Sequence, residues 1–316
     1  MADNLAIATQ GLTKCFHRQR AVNNVDLEVV EGTVYGLIGP NGAGKTTLIR
    51  LLAMAEEATL GDIFLFGDRL IRGASNLQLK KYLGYLPDDY PLYEDLTVWD
   101  YLDYFARLYF LRGTERLHRL REVLELVQLT SKIHSKIATL SRGMKQRLSL
   151  ARTIIHQPLL LLLDEPVSGL DPLARLQFRE TIKILQQAGM TIVISSHVLS
   201  DLQELCTAIG IMELGCLIES NSLENLYATL AQRRIRITVL DHRDRLWAML
   251  KTLAHVETIT PLPNGQSLIF RYGGSPEATV DLLRTLVASE LPITEFQTLQ
   301  EDLETLFFKL GHQQVS

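Results

Sequence analysis

Two stretches of the sequence carry residues able to bind a phosphate chain and a divalent cation. The first is glycine-rich. Its glycines allow the backbone to wrap around phosphate with N–H groups pointing inward. Its lysine can reach the outer phosphates, and the threonine after it can ligate Mg²⁺. We interpret this stretch as a phosphate-binding loop. Its residues are Gly39, Pro40, Asn41, Gly42, Ala43, Gly44, Lys45, Thr46 and Thr47.

The second stretch is an apolar run that delivers two adjacent carboxylates. Residues 159–163 are all leucine and stand between Pro158 and Pro166, which is typical of a central parallel strand buried on both faces. Asp164 follows at the carboxyl end, where it is predicted to hold Mg²⁺. Glu165 is predicted to orient and deprotonate an attacking water. Together the two stretches predict a nucleotide site.

A strand and a helix must position the phosphate-binding loop. Residues 34–38 form an apolar run that predicts a buried strand, and residues 48–52 continue from Lys45 with helical spacing. Because a helix carries partial positive charge at its N-terminus, this helix would direct its dipole at the same anion.

A second anion site is predicted just before the acidic strand. Ser141, Arg142, Gly143 and Met144 open an apolar-periodic segment, so Ser141 lies near a helix N-cap. A hydroxyl, a glycine N–H and a helix N-terminus suit an anion. Since the chain already has one phosphate loop, we expect a composite design in which each subunit's second site closes over the other subunit's nucleotide.

These motifs resemble those of the ATP-binding-cassette (ABC) family over about residues 5–225. The resemblance implies an α/β P-loop NTPase cassette at 1–222. Such a cassette has a RecA-like parallel-sheet core, an N-terminal antiparallel β subdomain and a helical subdomain at about 82–140. It further implies ATP and Mg²⁺ as ligands, ATP hydrolysis, a dimer of cassettes (homodimer or heterodimer) and a membrane permease partner.

The resemblance extends to single residues of the family motifs, and at some motif positions this chain differs from the family. Asp171 lies in a segment similar to the D-loop, His197 matches the switch histidine that contacts the γ-phosphate, and Phe16 matches the aromatic, usually tyrosine, that stacks on adenine. Arg142 and Met144 stand where the family signature usually has glycine and glutamine. The departures continue at the Q-loop, where Asp88 replaces a glutamine. Such replacements look like those in ATPase subunits of bacterial exporters with separate permease chains.

Aromatic residues crowd the start of the predicted helical subdomain. In the family this region receives a helix of the membrane subunit, and tyrosine suits such interfaces because it pairs an apolar face with a polar tip. We expect Tyr90, Leu92 and Tyr93 to contact the partner. Internal packing is the alternative, and it is the prediction for Trp99, Leu102, Phe105 and Ala106, which recur at helical spacing.

The last part of the chain, 223–316, is predicted to be a separate α+β accessory domain. After a helical linker, the pattern reads strand, helix, two strands joined by a turn at 263–266, helix and strand, which is ferredoxin-like. A closing helix is expected at 302–310. We predict a packing or dimer-stabilising role, with a ligand sensor as the alternative.

Composition sets limits on partners and compartment. The 316 residues are 47% hydrophobic with a net charge of −4 and a pI near 6.1, which disfavours a nucleic-acid partner. Three cysteines without a CxxC pair indicate reduced thiols. With no secretory leader or spanning segment expected, we predict a cytoplasmic protein held at the inner membrane face by its permease. The leading function is export; an importer ATPase and a soluble ABC-type ATPase acting on ribosomes or DNA are the alternatives.

Overall fold

The chain divides into two compact units, Met1–Leu223 and Glu224–Ser316. The computed structural model describes residues 4–74, 76–226, 233–263 and 265–299. No helix within these ranges is both long enough and apolar enough to cross a bilayer.

The first unit begins with four strands and then mixes helices and strands. Its strands are β1 (Leu5–Phe16), β2 (Gln19–Val25), β3 (Glu28–Val30), β4 (Val34–Ile38), β5 (Leu60–Leu65), β6 (Asp68–Arg69), β7 (Leu83–Leu86), β8 (Leu160–Leu163), β9 (Thr191–Ser196), β10 (Ala208–Glu213) and β11 (Cys216–Ser222). Its helices are α1 (Lys45–Leu52), α2 (Leu77–Lys80), α3 (Val98–Leu108), α4 (Gly113–Leu126), α5 (Arg142–Ile154), α6 (Pro172–Gln187) and α7 (Leu199–Gln203).

The central sheet brings the predicted site strands together. Its order is β11-β10-β4-β9-β8-β7, and every neighbouring pair is parallel except β10 with β11. All four leucines of β8 are fully buried, as the continuous apolar run predicts for a strand covered on both faces. Because β4, β9 and β8 are parallel neighbours, the loops after their carboxyl ends meet at one edge, where ligands bind in such sheets.

A smaller antiparallel sheet lies at the N-terminal end of the first unit. It has the order β2-β1-β5-β6, with β3 also paired to β1. Ile7, Leu12 and Val22 from this sheet are fully buried in one hydrophobic core with Leu48 of α1 and Leu162 of β8. The chain enters the hairpin to β2 at Phe16, the last residue of β1.

The helical part of the first unit is built on α3, α4 and α5, which pack on one another. Thr97 caps α3 by accepting a hydrogen bond from the Asp100 N–H at 3.1 Å. Leu102 and Ala106 are fully buried, whereas Trp99 and Phe105 are half-buried, so the packing predicted for these four residues is partial. The predicted start at residue 82 needs correction, because β7 pairs in parallel with β8 and belongs to the central sheet.

The second unit has the strand and helix order predicted for its described part. The elements are β12 (Arg233–Val239), α8 (Arg243–Leu250), β13 (Val256–Pro261), β14 (Ser267–Tyr272), α9 (Pro276–Ala288) and β15 (Ile293–Leu299). The sheet order is β13-β14-β12-β15 with all pairs antiparallel, which is the ferredoxin-like arrangement. Ile235, Phe270, Leu246 and Leu286 join sheet and helices in its core. The helix predicted at 302–310 lies outside the described residues.

Candidate functional site

The glycine-rich loop joins β4 to α1 and takes a conformation that needs glycine. Gly42 and Gly44 have φ angles of 83° and 102°, a region that side chains strongly disfavour. A Cβ on Gly44 would lie 2.2 Å from the Ala21 carbonyl oxygen, so the backbones approach too closely for any other residue. Lys45 Nζ donates to the Gly39 and Pro40 carbonyls at 2.7 and 3.3 Å. The loop is therefore folded around its own lysine.

Thr46 and Asp164 place two oxygen ligands next to this loop. The Thr46 hydroxyl donates to Asp164 Oδ1 at 3.1 Å, and Asp164 is 1% exposed. Burial raises the pKa of the Asp164 carboxyl, Asp88 and Glu165 add to the rise, and hydrogen bonds from Ser195 and Thr46 oppose it. A cation would favour the ionised form here. The pair thus fits Mg²⁺, which takes few protein oxygens alongside water and phosphate.

Glu165 lies between two cationic or proton-carrying groups. Its carboxylate is 3.5 Å from Lys45 Nζ and 2.8 Å from His197 Nδ1. The backbone of Glu165 has a φ of 47°, a left-handed conformation rare for a glutamate. The geometry places a carboxylate, a lysine and an imidazole at the carboxyl end of the parallel strands.

These groups open into one cleft of about 480 Å³. Phe16 lies at its edge with 42% of its surface exposed, and Lys14 Nζ lies 4.8 Å from the centre of the Phe16 ring. A flat, partly exposed ring beside a phosphate loop suits stacking on a base. The residues that line the cleft are Phe16, Gln19, Ala21, Asn41, Gly42, Ala43, Gly44, Lys45, Thr46, Thr47, Asp88, Glu165, Ser168 and His197.

The residues of the predicted second anion site do not line this cleft within a single chain. Ser141 caps α5 by accepting from the Met144 N–H at 3.3 Å, as predicted. Gly143 is buried against Ala174 of α6, where a Cβ would lie 2.7 Å from the alanine Cβ. Within the part of the chain that the structure describes, Ser141, Arg142, Gly143 and Met144 are absent from the lining of the cleft.

Comparisons with known proteins place the chain in a family. A family model described as ABC transporter matches residues 22–168. The linearmycin resistance ATP-binding protein LnrL of Bacillus subtilis (strain 168) is 30% identical, with 96% of this chain and 97% of that protein covered. The bacitracin transport ATP-binding protein BcrA of Enterococcus faecalis is 33% identical, with 96% of each covered. The chain belongs to the ABC transporter ATP-binding family.

A solved structure of this ABC family supports the fold as well. An ATP binding subunit of an ABC transporter is 28% identical to this chain, with a TM-score of 0.64 over 78% of this chain and 100% of that one. The predicted P-loop NTPase cassette is confirmed, and the chain is an ATP-hydrolysing transport subunit that works with a membrane partner.

Arg142 and Asp88, which differ from the usual ABC motifs, and the motif residue Asp171 each have definite neighbours in the structure. Arg142 donates from Nη2 to the Ser168 carbonyl at 2.9 Å, so this arginine contacts, within its own chain, the segment that resembles the D-loop. Asp171 caps α6 by accepting from the Ala174 N–H at 2.9 Å. Asp88 is exposed, and besides the cleft it lines a neighbouring depression that Arg142 also lines.

Ser195 is a polar residue of this ABC site that the sequence analysis passed over. It is fully buried, donates to Asp164 Oδ1 at 2.7 Å and accepts from the Glu165 N–H at 2.9 Å. The available signal was its position, since Ser195 lies at the carboxyl end of an apolar strand, two residues before His197.

Proposed function

We propose that the cleft around Lys45 is the ATP site of an export ATPase that drives a separate permease. The placement of Glu165 carries this proposal, because its carboxylate adjoins Asp164 in sequence and contacts both Lys45 and His197. Export is supported by LnrL and BcrA, relatives of matching length that are named for resistance and transport. The Asp88 and Arg142 replacements favour export over import.

Binding of ATP is assigned to the loop and to Phe16. Phe16 stacks on adenine with its exposed ring, the N–H groups of residues 39–44 surround the phosphates, and Lys45 pairs with the outer phosphates. Lys45 then exchanges its contact with Glu165 for a phosphate, which leaves the Glu165 carboxylate available. Mg²⁺, held by Thr46 and Asp164, would neutralise charge on the β- and γ-phosphates.

Hydrolysis is assigned to Glu165 as the base. Its carboxylate takes a proton from the attacking water as the water oxygen bonds to the γ-phosphorus. The bond from that phosphorus to the β–γ bridging oxygen breaks, and its electron pair leaves with ADP. His197 holds the Glu165 carboxylate through Nδ1 and directs its other nitrogen toward the γ-phosphate.

A second copy of the cassette completes the site in this proposal. Ser141 and Gly143 sit at the N-terminus of α5, where a helix of thirteen residues concentrates positive potential. Since they lie outside the cleft of their own chain, we propose that they face the γ-phosphate bound by a partner subunit. Arg142, placed on Ser168, and Asp171, at the cap of α6, lie beside them at this interface.

Mixing two inactive variants tests the composite site. In a mixed dimer of Lys45→Ala and Ser141→Arg subunits, both lesions fall on one site, so the second site is intact. We expect each variant alone to be inactive and the mixture to regain a measurable fraction of wild-type phosphate release. Melting temperatures check that loss of the Ser141 cap, worth about 1 kcal/mol, leaves each subunit folded. If mixed dimers form and no activity returns, the composite site is wrong.

An aromatic cluster on the helical part is the proposed docking surface for the permease. Tyr93 is 52% exposed, and its ring contacts those of Tyr101, Tyr104 and Phe105 at 6.1–6.5 Å between centres. Tyr90 and Leu92 are half-buried and line the depression shared with Asp88. Exposed aromatic side chains on a rigid base are typical of binding hot spots.

Replacing Tyr93 tests both docking and the function. We expect Tyr93→Ala to leave ATP hydrolysis by the isolated chain within about twofold, because Tyr93 does not line the ATP cleft, and to weaken permease association by about 2 kcal/mol. Co-purification of the permease from native membranes measures the second effect. Tyr82→Ala is the matched control, since Tyr82 is 45% exposed and packs on Phe66 instead. Equal recovery of the permease with both variants would place docking elsewhere.

We also propose a domain boundary and a location in the cell for this protein. Residues 1–222 form the cassette, and 223–316 form an accessory domain for packing or dimer stabilisation. The permease holds the protein at the cytoplasmic face of the membrane.

A further inference from the structure

Ser195 lies near the carboxyl end of the strand that His197 follows, beside the strand that the two acids follow. It lies in β9, which pairs in parallel with β8, and its side chain is fully buried. A buried hydroxyl needs hydrogen-bond partners, because leaving it unpaired costs free energy. The partners it has are Asp164 and Glu165, whose proposed roles differ.

The Ser195 hydroxyl is used in both directions. It donates to Asp164 Oδ1 at 2.7 Å and accepts from the Glu165 backbone N–H at 2.9 Å. Asp164 Oδ1 also accepts from the Thr46 hydroxyl at 3.1 Å. A continuous series of hydrogen bonds therefore runs from the first turn of α1 through Asp164 and Ser195 to the main chain of Glu165.

Glu165 needs such a fixed partner because of its own backbone. Its φ of 47° is left-handed, a conformation that persists in a non-glycine residue only where surrounding contacts hold it. Ser195 accepts from its N–H, and His197, which follows the end of β9, contacts its carboxylate at 2.8 Å. The segment 195–197 thus contacts Glu165 at both the main chain and the carboxylate.

We propose that Ser195 is a positioning residue for ATP hydrolysis: its hydroxyl holds the Asp164 carboxylate and the Glu165 main chain in one fixed relation. The proposal rests on the roles assigned above to Asp164 and Glu165. Ser195 is fully buried and is not among the residues that line the cleft, so it acts through Asp164 and Glu165. Its effect is to keep the Glu165 carboxylate aligned with the γ-phosphate, which binds next to Asp164.

Replacement of the hydroxyl has a definite expected result. Ser195→Ala in the full chain should lower kcat about 10- to 100-fold, the range expected for a misplaced reacting group. KM for ATP should stay within about threefold, because the loop, Lys45 and Thr46 are untouched. Affinity for Mg²⁺ with a non-hydrolysable imido analogue of ATP, measured by calorimetry, should likewise stay within about threefold. Ser195→Cys keeps the shape of the side chain but forms only weak hydrogen bonds. It replaces the alanine variant in this test if Ser195→Ala does not fold.

Ser196 is the matched control for this experiment. It is the next residue of β9, is 1% exposed, and its hydroxyl accepts from the Val198 N–H at 3.0 Å. Since adjacent side chains on a strand point to opposite faces, Ser196→Ala removes an equally buried hydroxyl without touching Asp164 or Glu165. We expect its kcat to stay within about threefold of wild type.

The outcomes separate this inference from the roles on which it rests. The inference is overturned if both Ser195 variants keep kcat within threefold of wild type. It is also overturned if Ser196→Ala loses as much kcat as Ser195→Ala, or if Ser195→Ala loses affinity for the ATP analogue to the same extent as kcat. Glu165→Gln is measured alongside. If that variant turns over normally, the assigned base is wrong and the Ser195 role falls with it. If Glu165→Gln is inactive while the Ser195 variants are active, the role of Ser195 alone is wrong.

Discussion

Glu165→Gln is expected to bind ATP and to lose hydrolysis at least about 100-fold, the usual contribution of a positioned general base. Glutamine keeps the size of the side chain but its amide cannot take a proton from water. ATP binding should persist because the loop residues, Lys45 and Thr46 are unchanged. Removing the charge also frees Lys45, whose Nζ lies 3.5 Å from the carboxylate, so affinity should be equal or higher.

Phosphate release and calorimetric titration measure these two effects, and gel filtration should show an ATP-bound dimer that accumulates because it cannot turn over. Glu204→Gln is the control, since it removes a carboxylate that pairs on the surface with Arg179. Turnover at the wild-type rate in Glu165→Gln would remove Glu165 from the proposed mechanism.

Lys45→Ala is expected to lower ATP affinity at least about 100-fold. Lys45 is 5% exposed, so its ammonium meets phosphate in a site with little competing water. A hydrogen bond to a charged group in such a place contributes about 1.5–3 kcal/mol, and this lysine can pair with more than one phosphate oxygen. Calorimetric titration with Mg-ATP measures the loss.

Two control measurements accompany Lys45→Ala. Lys183→Ala, on the exposed side of α6, removes the same charge far from the loop in sequence and should bind ATP normally. Melting temperature should fall little in Lys45→Ala, because the carbonyls of Gly39 and Pro40 can accept from water in the opened loop. An affinity like that of wild type would place the phosphates outside this loop.

The glycine-rich loop, the apolar strand before the two acids and the helix capped by Ser141 could be predicted from the sequence because local patterns of residues indicate them. The loop needs glycine at Gly42 and Gly44 for backbone reasons, and the run 160–163 is apolar because β8 is buried on both faces. The strand and helix order of the second unit followed from periodicity and from the turn residues at 263–266, through β15.

Only the tertiary structure decided which polar groups meet across the sheet. Ser195 contacts residues thirty and thirty-one positions earlier, and Arg142 reaches a carbonyl twenty-six positions later. β7 joins the central sheet through a partner strand that begins at Leu160. Tyr93 is exposed and Tyr90 half-buried although both belong to the same loop. Periodicity in a sequence reports which face of an element is apolar, whereas these contacts depend on the order in which the strands pair, and that order is a property of the whole folded unit.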